Sequence, residues 1–114
     1  MAISLFCYSS LLPEETQGIL DLINNRHPEI FKERCLIFRA RDLRGADNLR
    51  DADSYYHSVL IDIALEHGLK ATCLFLVAIN DKSAVGLISR VVEIIKTALG
   101  ECNVVILFNN EGRL

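Results

Sequence analysis

Two stretches of the chain share one layout: an apolar strand, a short polar loop, an amphipathic helix and a second apolar strand. The first runs from Ile3 to about Ala40 and the second from about Ala71 to Phe108. A strand–helix–strand unit of this length is a crossover that returns its second strand parallel to its first. The pattern predicts an α/β fold of about four mostly parallel strands and three helices, with two βαβ units joined by a helix. A two-layer, ferredoxin-like α+β sheet is the alternative, and the extra helix between the units favours three layers over two.

Local signals place the elements. Strands are expected over Ile3–Tyr8, Arg34–Ala40, Ala71–Ile79 and Val104–Phe108, where apolar residues cluster. Pro13 suits the first turn of a helix, and Glu14 and Glu15 suit its positive end. Asn24, Asn25 and Pro28 end that helix. A middle helix over Ser54–His67 stops at Gly68. The last helix, Ala84–Leu99, turns Val85, Ile88, Val91, Val92, Ile95 and Leu99 inward. Ala71–Ile79 is apolar at almost every position, as a central strand covered on both faces should be. Asn109–Leu114 reads as a polar tail.

At 114 residues and 51% apolar, the chain is expected to form one domain with a real core. A formal charge of −3 argues against direct nucleic-acid binding. The start lacks a basic signal-peptide region, and no apolar run reaches the roughly 18 residues of a membrane span. A cytoplasmic protein with no membrane association is expected. Cys7, Cys35 and Cys73 lie within apolar runs and Cys102 just before one, with no C-x-x-C spacing. All four are expected to be reduced core residues rather than metal ligands. No metal or other cofactor is expected.

Catalytic signatures are absent from the loops. Neither Tyr8–Pro13 nor Asn80–Ala84 contains the glycines of a phosphate-cradling turn. Cys7 with His57 or His67 is the available thiol–imidazole pair, but nothing in the sequence lowers the thiol's pKa. If the strands are parallel, their carboxyl ends share one edge, where Ser9, Asp81 and Asn109 would meet. That edge supports an alternative reading as a small-ligand sensor or small enzyme.

The most unusual segment is Arg39–Asp53, dense in both charge signs and poor in large apolar groups. Residues 32–50 carry six basic and three acidic groups, within a chain that is acidic on either side. Charges that pair among themselves in solvent contribute little. Read instead as a recognition surface, the segment offers Asp42, Arg44, Asp47, Asp51, Asp53 and Tyr55 as partner-binding residues, because Arg and Tyr anchor interfaces and mixed charge confers specificity.

Leu5-Phe6-Cys7-Tyr8-Ser9-Ser10, the helix start Pro13-Glu14-Glu15, and Ile63–Gly68 leading into Phe75–Lys82 resemble small bacterial immunity proteins of contact-dependent inhibition and related polymorphic toxin systems. The resemblance implies a cytoplasmic antidote, not an enzyme, whose partner is a cognate toxin domain, often a nuclease, held with its active site blocked. It assigns no residue, since these families share no diagnostic motif.

Overall fold

The computed structural model describes residues 3–31, 35–43, 51–79, 85–108 and 112–114. Its elements are β1 (Ile3–Ser9), α1 (Pro13–Arg26), α2 (Pro28–Phe31), β2 (Cys35–Ile37), β3 (Arg41–Asp42), α3 (Asp51–Glu66), β4 (Cys73–Ile79), α4 (Val85–Leu99), a 3₁₀ turn (Glu101–Asn103), β5 (Val104–Phe108) and β6 (Gly112–Arg113). The segment read as a polar tail thus contributes a short strand, with Gly112 opposite Phe108.

The six strands form one sheet in the order β2–β4–β1–β5–β6, with β3 also paired to β4. Every pairing is antiparallel. This overturns the expected mostly parallel α/β sheet, and the class is α+β. Each strand–helix–strand unit does return its second strand parallel to its first. The two strands are not neighbours, however, because a strand of the other unit runs the opposite way between them. β4 lies between β1 and β2, and β1 lies between β4 and β5. A crossover fixes the direction of return, not the number of strands it steps over. The interleaving is the split βαβ order of the ferredoxin-like alternative, but α3 adds a third layer that the alternative lacks.

Alternation along β1 and β4 divides the core in two. On the first face Leu5, Cys7, Phe75, Val77 and Ile79 pack under α1, α2 and α4, against Leu20, Phe31, Val91 and Ile95. On the second face Tyr8, Leu74, Val105 and Leu107 pack with Leu60 and Ala64 of α3 and with Leu43. Along α4 the buried stripe is Leu87, Val91, Ile95 and Leu99, whereas Ile88 and Val92 are half-buried. Helix α3 ends as expected at Gly68, whose φ is 81°. The Gly68 N–H reaches the Leu65 carbonyl and the Leu69 N–H reaches Ala64, which satisfies the last carbonyls of the helix.

The edge strand changes register between its two pieces. Ile37 faces Val77, but Arg41 faces Leu74. The Phe38 N–H still bonds to the Leu76 carbonyl at 2.9 Å, so Arg39 and Ala40 together oppose Phe75. This is a β-bulge, and the extra residue reverses which face later side chains meet. Cys35 and Ile37 join the first core, and Leu43 is turned into the second. The bulge leaves the Ala40 N–H without a ladder partner, and Oε1 of Gln17 on α1 accepts it at 2.8 Å. Nε2 of Gln17 in turn donates to Oδ1 of Asp21 at 3.0 Å, which holds the amide in place.

Gln17→Ala should therefore lower unfolding stability by about 1 kcal/mol in urea titration. It should also speed amide exchange at Ala40 more than at Leu36, and equal effects at both positions would show that Gln17 does not support the bulge.

Candidate functional site

The edge strand and the second face of the sheet make a surface that the sequence did not reveal. The first face is covered along its whole length, from Ser9 and Cys73 at one end to Val77 and Ile79 at the other. The second face is covered only toward the Ser9 end, where α3 meets Tyr8, Leu43, Leu74 and Val105. Toward the Ile3 end the cover thins. Ser4, Phe6, Leu76 and Ala78 are half-buried, while Leu36 is 50% and Phe38 51% exposed. Leu36 lies beside Ala78 and Ser4 across the strands. Phe38 lies beside Leu76, Phe6 and the buried Leu107. Leu36 and Phe38 sit in the unbroken apolar run Cys35–Phe38, which offers no alternation to tell an inward side chain from an outward one.

Charge continues directly from this apolar pair. Arg39 and Arg41 are exposed, as is Asp42. The register points Arg41 to the same face as Phe38, and Asp42 to the face of Cys73. Of the residues singled out as partner-binding, Asp42 stands on β3 at the start of this charged run. Arg44 and Asp47 lie outside the described residues. Asp51, Asp53 and Tyr55 fall in the first two turns of α3, which begins a turn earlier than the apolar stripe indicated.

The small-ligand alternative loses its edge. With antiparallel strands, Ser9 closes β1 at one end of the sheet. Asp81 and Asn109 lie outside the described residues, but they follow Ile79 and Phe108, which close their strands toward the Ile3 end. Ile79 stands opposite Ile3 and Phe108 opposite Leu5, so these strand ends lie about 20 and about 14 Å along β1 from Ser9.

Ser9 is moreover fully engaged. Its buried Oγ lies 3.0 Å from Oγ1 of Thr16 and accepts the Leu11 N–H at 3.1 Å. The Cys73 thiol donates to Thr16 Oγ1 at 3.4 Å, and the Thr72 N–H bonds to the Ser9 carbonyl at 2.8 Å. The cluster pins the β1–α1 loop to the start of β4. Asn103 ties the same loop to α4: its carbonyl accepts the Ser10 N–H at 2.9 Å, and its side-chain amide caps the Leu99 carbonyl at 3.0 Å.

Among the described residues, open grooves lie on the outer surface of the helical layer, along α4. One, about 510 Å³, is lined by Leu22, Arg26, Arg90, Glu93 and Ile94 among others. The other, about 660 Å³, runs along Val92 and Lys96 to Leu114. Neither includes Ser9. Among the described residues, no three His, Cys, Asp or Glu side chains converge to hold a metal ion. No helix among them is long and apolar enough to cross a membrane.

Cys7, Cys35 and Cys73 are buried free thiols, but Cys102 is exposed on the 3₁₀ turn, contrary to its expected place in the core. Burial raises the Cys7 pKa far above the ordinary thiol range, so the thiolate that nucleophilic chemistry requires is not formed at neutral pH.

The sequence matches the family described as CDI System Immunity Component over residues 1–112. The chain belongs to this family. It is 37% identical over 113 residues to Immunity protein CdiI-2 of Burkholderia pseudomallei (strain 1026b), a match that covers 99% of each protein. It is also similar to a solved chain from a CdiA-CT/CdiI toxin and immunity complex of Burkholderia pseudomallei, with a TM-score of 0.78 and 34% identity. That likeness covers 97% of this chain and 95% of the other.

For a CDI immunity component, the buried thiols are packing groups and Cys102 is the reactive one. Under native conditions a thiol reagent should modify Cys102 alone, with Cys7, Cys35 and Cys73 reacting only after denaturation. Peptide mass spectrometry reads the sites, and native labelling of Cys7 would contradict its burial.

Proposed function

We propose that this CDI immunity component binds the toxin domain encoded beside it and neutralises that toxin in the cytoplasm by covering its active site, without turnover of its own. The observation that carries the reading is the likeness, over nearly the whole chain, to a protein solved in a toxin and immunity complex. The engaged Ser9 cluster and the protonated, buried Cys7 support binding over catalysis.

The contact surface we assign to the charged segment at the sheet edge: Asp42, Arg44, Asp47, Asp51, Asp53 and Tyr55. A nuclease is the toxin class that this chemistry suits. Its cleft is basic where it grips phosphates, so carboxylates can occupy it. An arginine such as Arg44 can then pair with a catalytic carboxylate through parallel N–H···O bonds. Interfaces of this kind associate fast and discriminate by charge.

Co-expression with the neighbouring toxin domain should restore growth that the toxin alone arrests, and cells that die despite the soluble chain would overturn the proposal. Asp47→Lys combined with Asp51→Lys should weaken binding about tenfold or more in calorimetry, while lowering unfolding stability by no more than the charge at the start of α3 is worth, about 0.3–1 kcal/mol. Affinity that survives the reversal removes this segment from the contact.

A further inference from the structure

We infer that the furrow between α1 and α4, on the outer surface of the helical layer, binds a small amphipathic anion. The ligand is a medium-chain aliphatic carboxylate whose head lies between Arg26 and Arg90 and whose tail runs along Leu22, Ile94 and Ile19. This site stands apart from the segment assigned to the toxin and does not depend on it.

The furrow follows from how the two helices pack. Helix α1 leaves the Ser9 end of the sheet, and α4 returns to that end, where Asn103 caps the Leu99 carbonyl and accepts the Ser10 N–H. The helices are therefore antiparallel neighbours. Ile19, Leu22, Ile23 and Arg26 recur at three- and four-residue spacing and form one wall. Arg90, Ile94 and Ala98 stack turn upon turn to form the other. Arg26 lies in the last turn of α1 and Arg90 in the first half of α4, so both cations stand at the end away from Ser9. Ile19 and Ala98 lie at the opposite end. The groove, about 510 Å³, has a cationic head and an apolar tail.

Charge selects the occupant. Arg26 and Arg90 are exposed, and among the described residues no hydrogen bond or ion pair engages either guanidinium. Glu29 turns instead to His27, with 3.9 Å between Oε1 and Nδ1. Glu93 lines both grooves along α4, which puts it on the crest between them and away from α1. The negative end of a helix accounts for Arg26 but not for Arg90, which stands inside α4. Two guanidiniums on one furrow repel, and an anion between them removes that cost. The fork of a guanidinium matches a carboxylate through paired N–H···O bonds.

The walls set the rest of the ligand. Leu22 is 54% exposed, with half-buried Ile19 and Ile94 beside it, so an aliphatic chain laid here is removed from water along with them. Length favours a small molecule over a partner helix. The wall from Ile19 to Arg26 rises only about 10 Å, too short a track for helix docking, whereas the volume suits a small-ligand site.

Decanoate is the probe, titrated into the full chain by calorimetry with decanol and acetate as controls. The expected result is one saturable site with a Kd below about 1 mM. Combining Arg26→Gln with Arg90→Gln should weaken it about tenfold or more, and Leu22→Asn about threefold or more. All three residues are exposed, so the melting temperature should hold. Decanol and acetate, each lacking half of the match, should bind about tenfold more weakly than decanoate. No saturable binding, equal binding of decanol, or decanoate binding that survives the arginine variant overturns the inference, as does binding indifferent to Leu22→Asn. An arginine variant that leaves decanoate binding unchanged but weakens the toxin contact, or dissolves a wild-type dimer in ultracentrifugation, gives the furrow to a protein and also overturns it.

Discussion

The antiparallel pairing of Ile3–Ser9 with Cys73–Ile79 is the constraint on which the molecule depends. It joins seven residues of each strand, and the two strands come from different βαβ units. With β5 on the other edge of β1 and β2 on the other edge of β4, the two strands of each unit are held one strand apart. The same pairing fixes which side chains share a face. Leu5, Cys7, Phe75 and Val77 then need cover from α1, α2 and α4, and Tyr8 and Leu74 need cover from α3. Three helices serve one face and one helix serves the other. The exposed ends of the Phe6 and Ala78 rows follow from that inequality.

Polar groups at the Ser9 end complement this apolar scaffold. A buried hydroxyl without a partner is costly, and here Ser9, Thr16 and Cys73 satisfy one another while holding the loop between β1 and α1. In a parallel α/β fold a loop in this position is where ligands enter. Here it is a structural clasp, its hydroxyls and thiol turned to one another.

Much of the local structure was legible in the sequence because period and end signals act locally. Pro13 opened a helix, Gly68 and Gly100 closed two others, and the runs through Leu5, Phe75 and Ile106 formed strands. Neighbour relations were not legible, since the loop and helix between β1 and β2 are the same length whether β2 docks beside β1 or one strand away. Elements of two to four residues were missed because so short a segment shows no period: Pro28–Phe31, Arg41–Asp42, Glu101–Asn103 and Gly112–Arg113, together with the Asp51-Ala52-Asp53 turn that opens α3. The charged segment announced itself by composition. Its apolar neighbours Leu36 and Phe38 did not, because an edge strand and a core strand can share the same four-residue apolar run.

The bulge at Arg39 and Ala40 bears on how the chain survives at high concentration. An open sheet edge invites strands from other molecules to add on, and a straight apolar edge is the best template for such polymerisation. Among the described residues, the edge runs straight through Cys35–Phe38. Beyond that point it kinks, Gln17 claims the Ala40 donor, and exposed charge follows at Arg39, Arg41 and Asp42. A foreign strand that pairs past Phe38 meets a kinked and charged backbone, a poorer template for growth than a straight apolar edge.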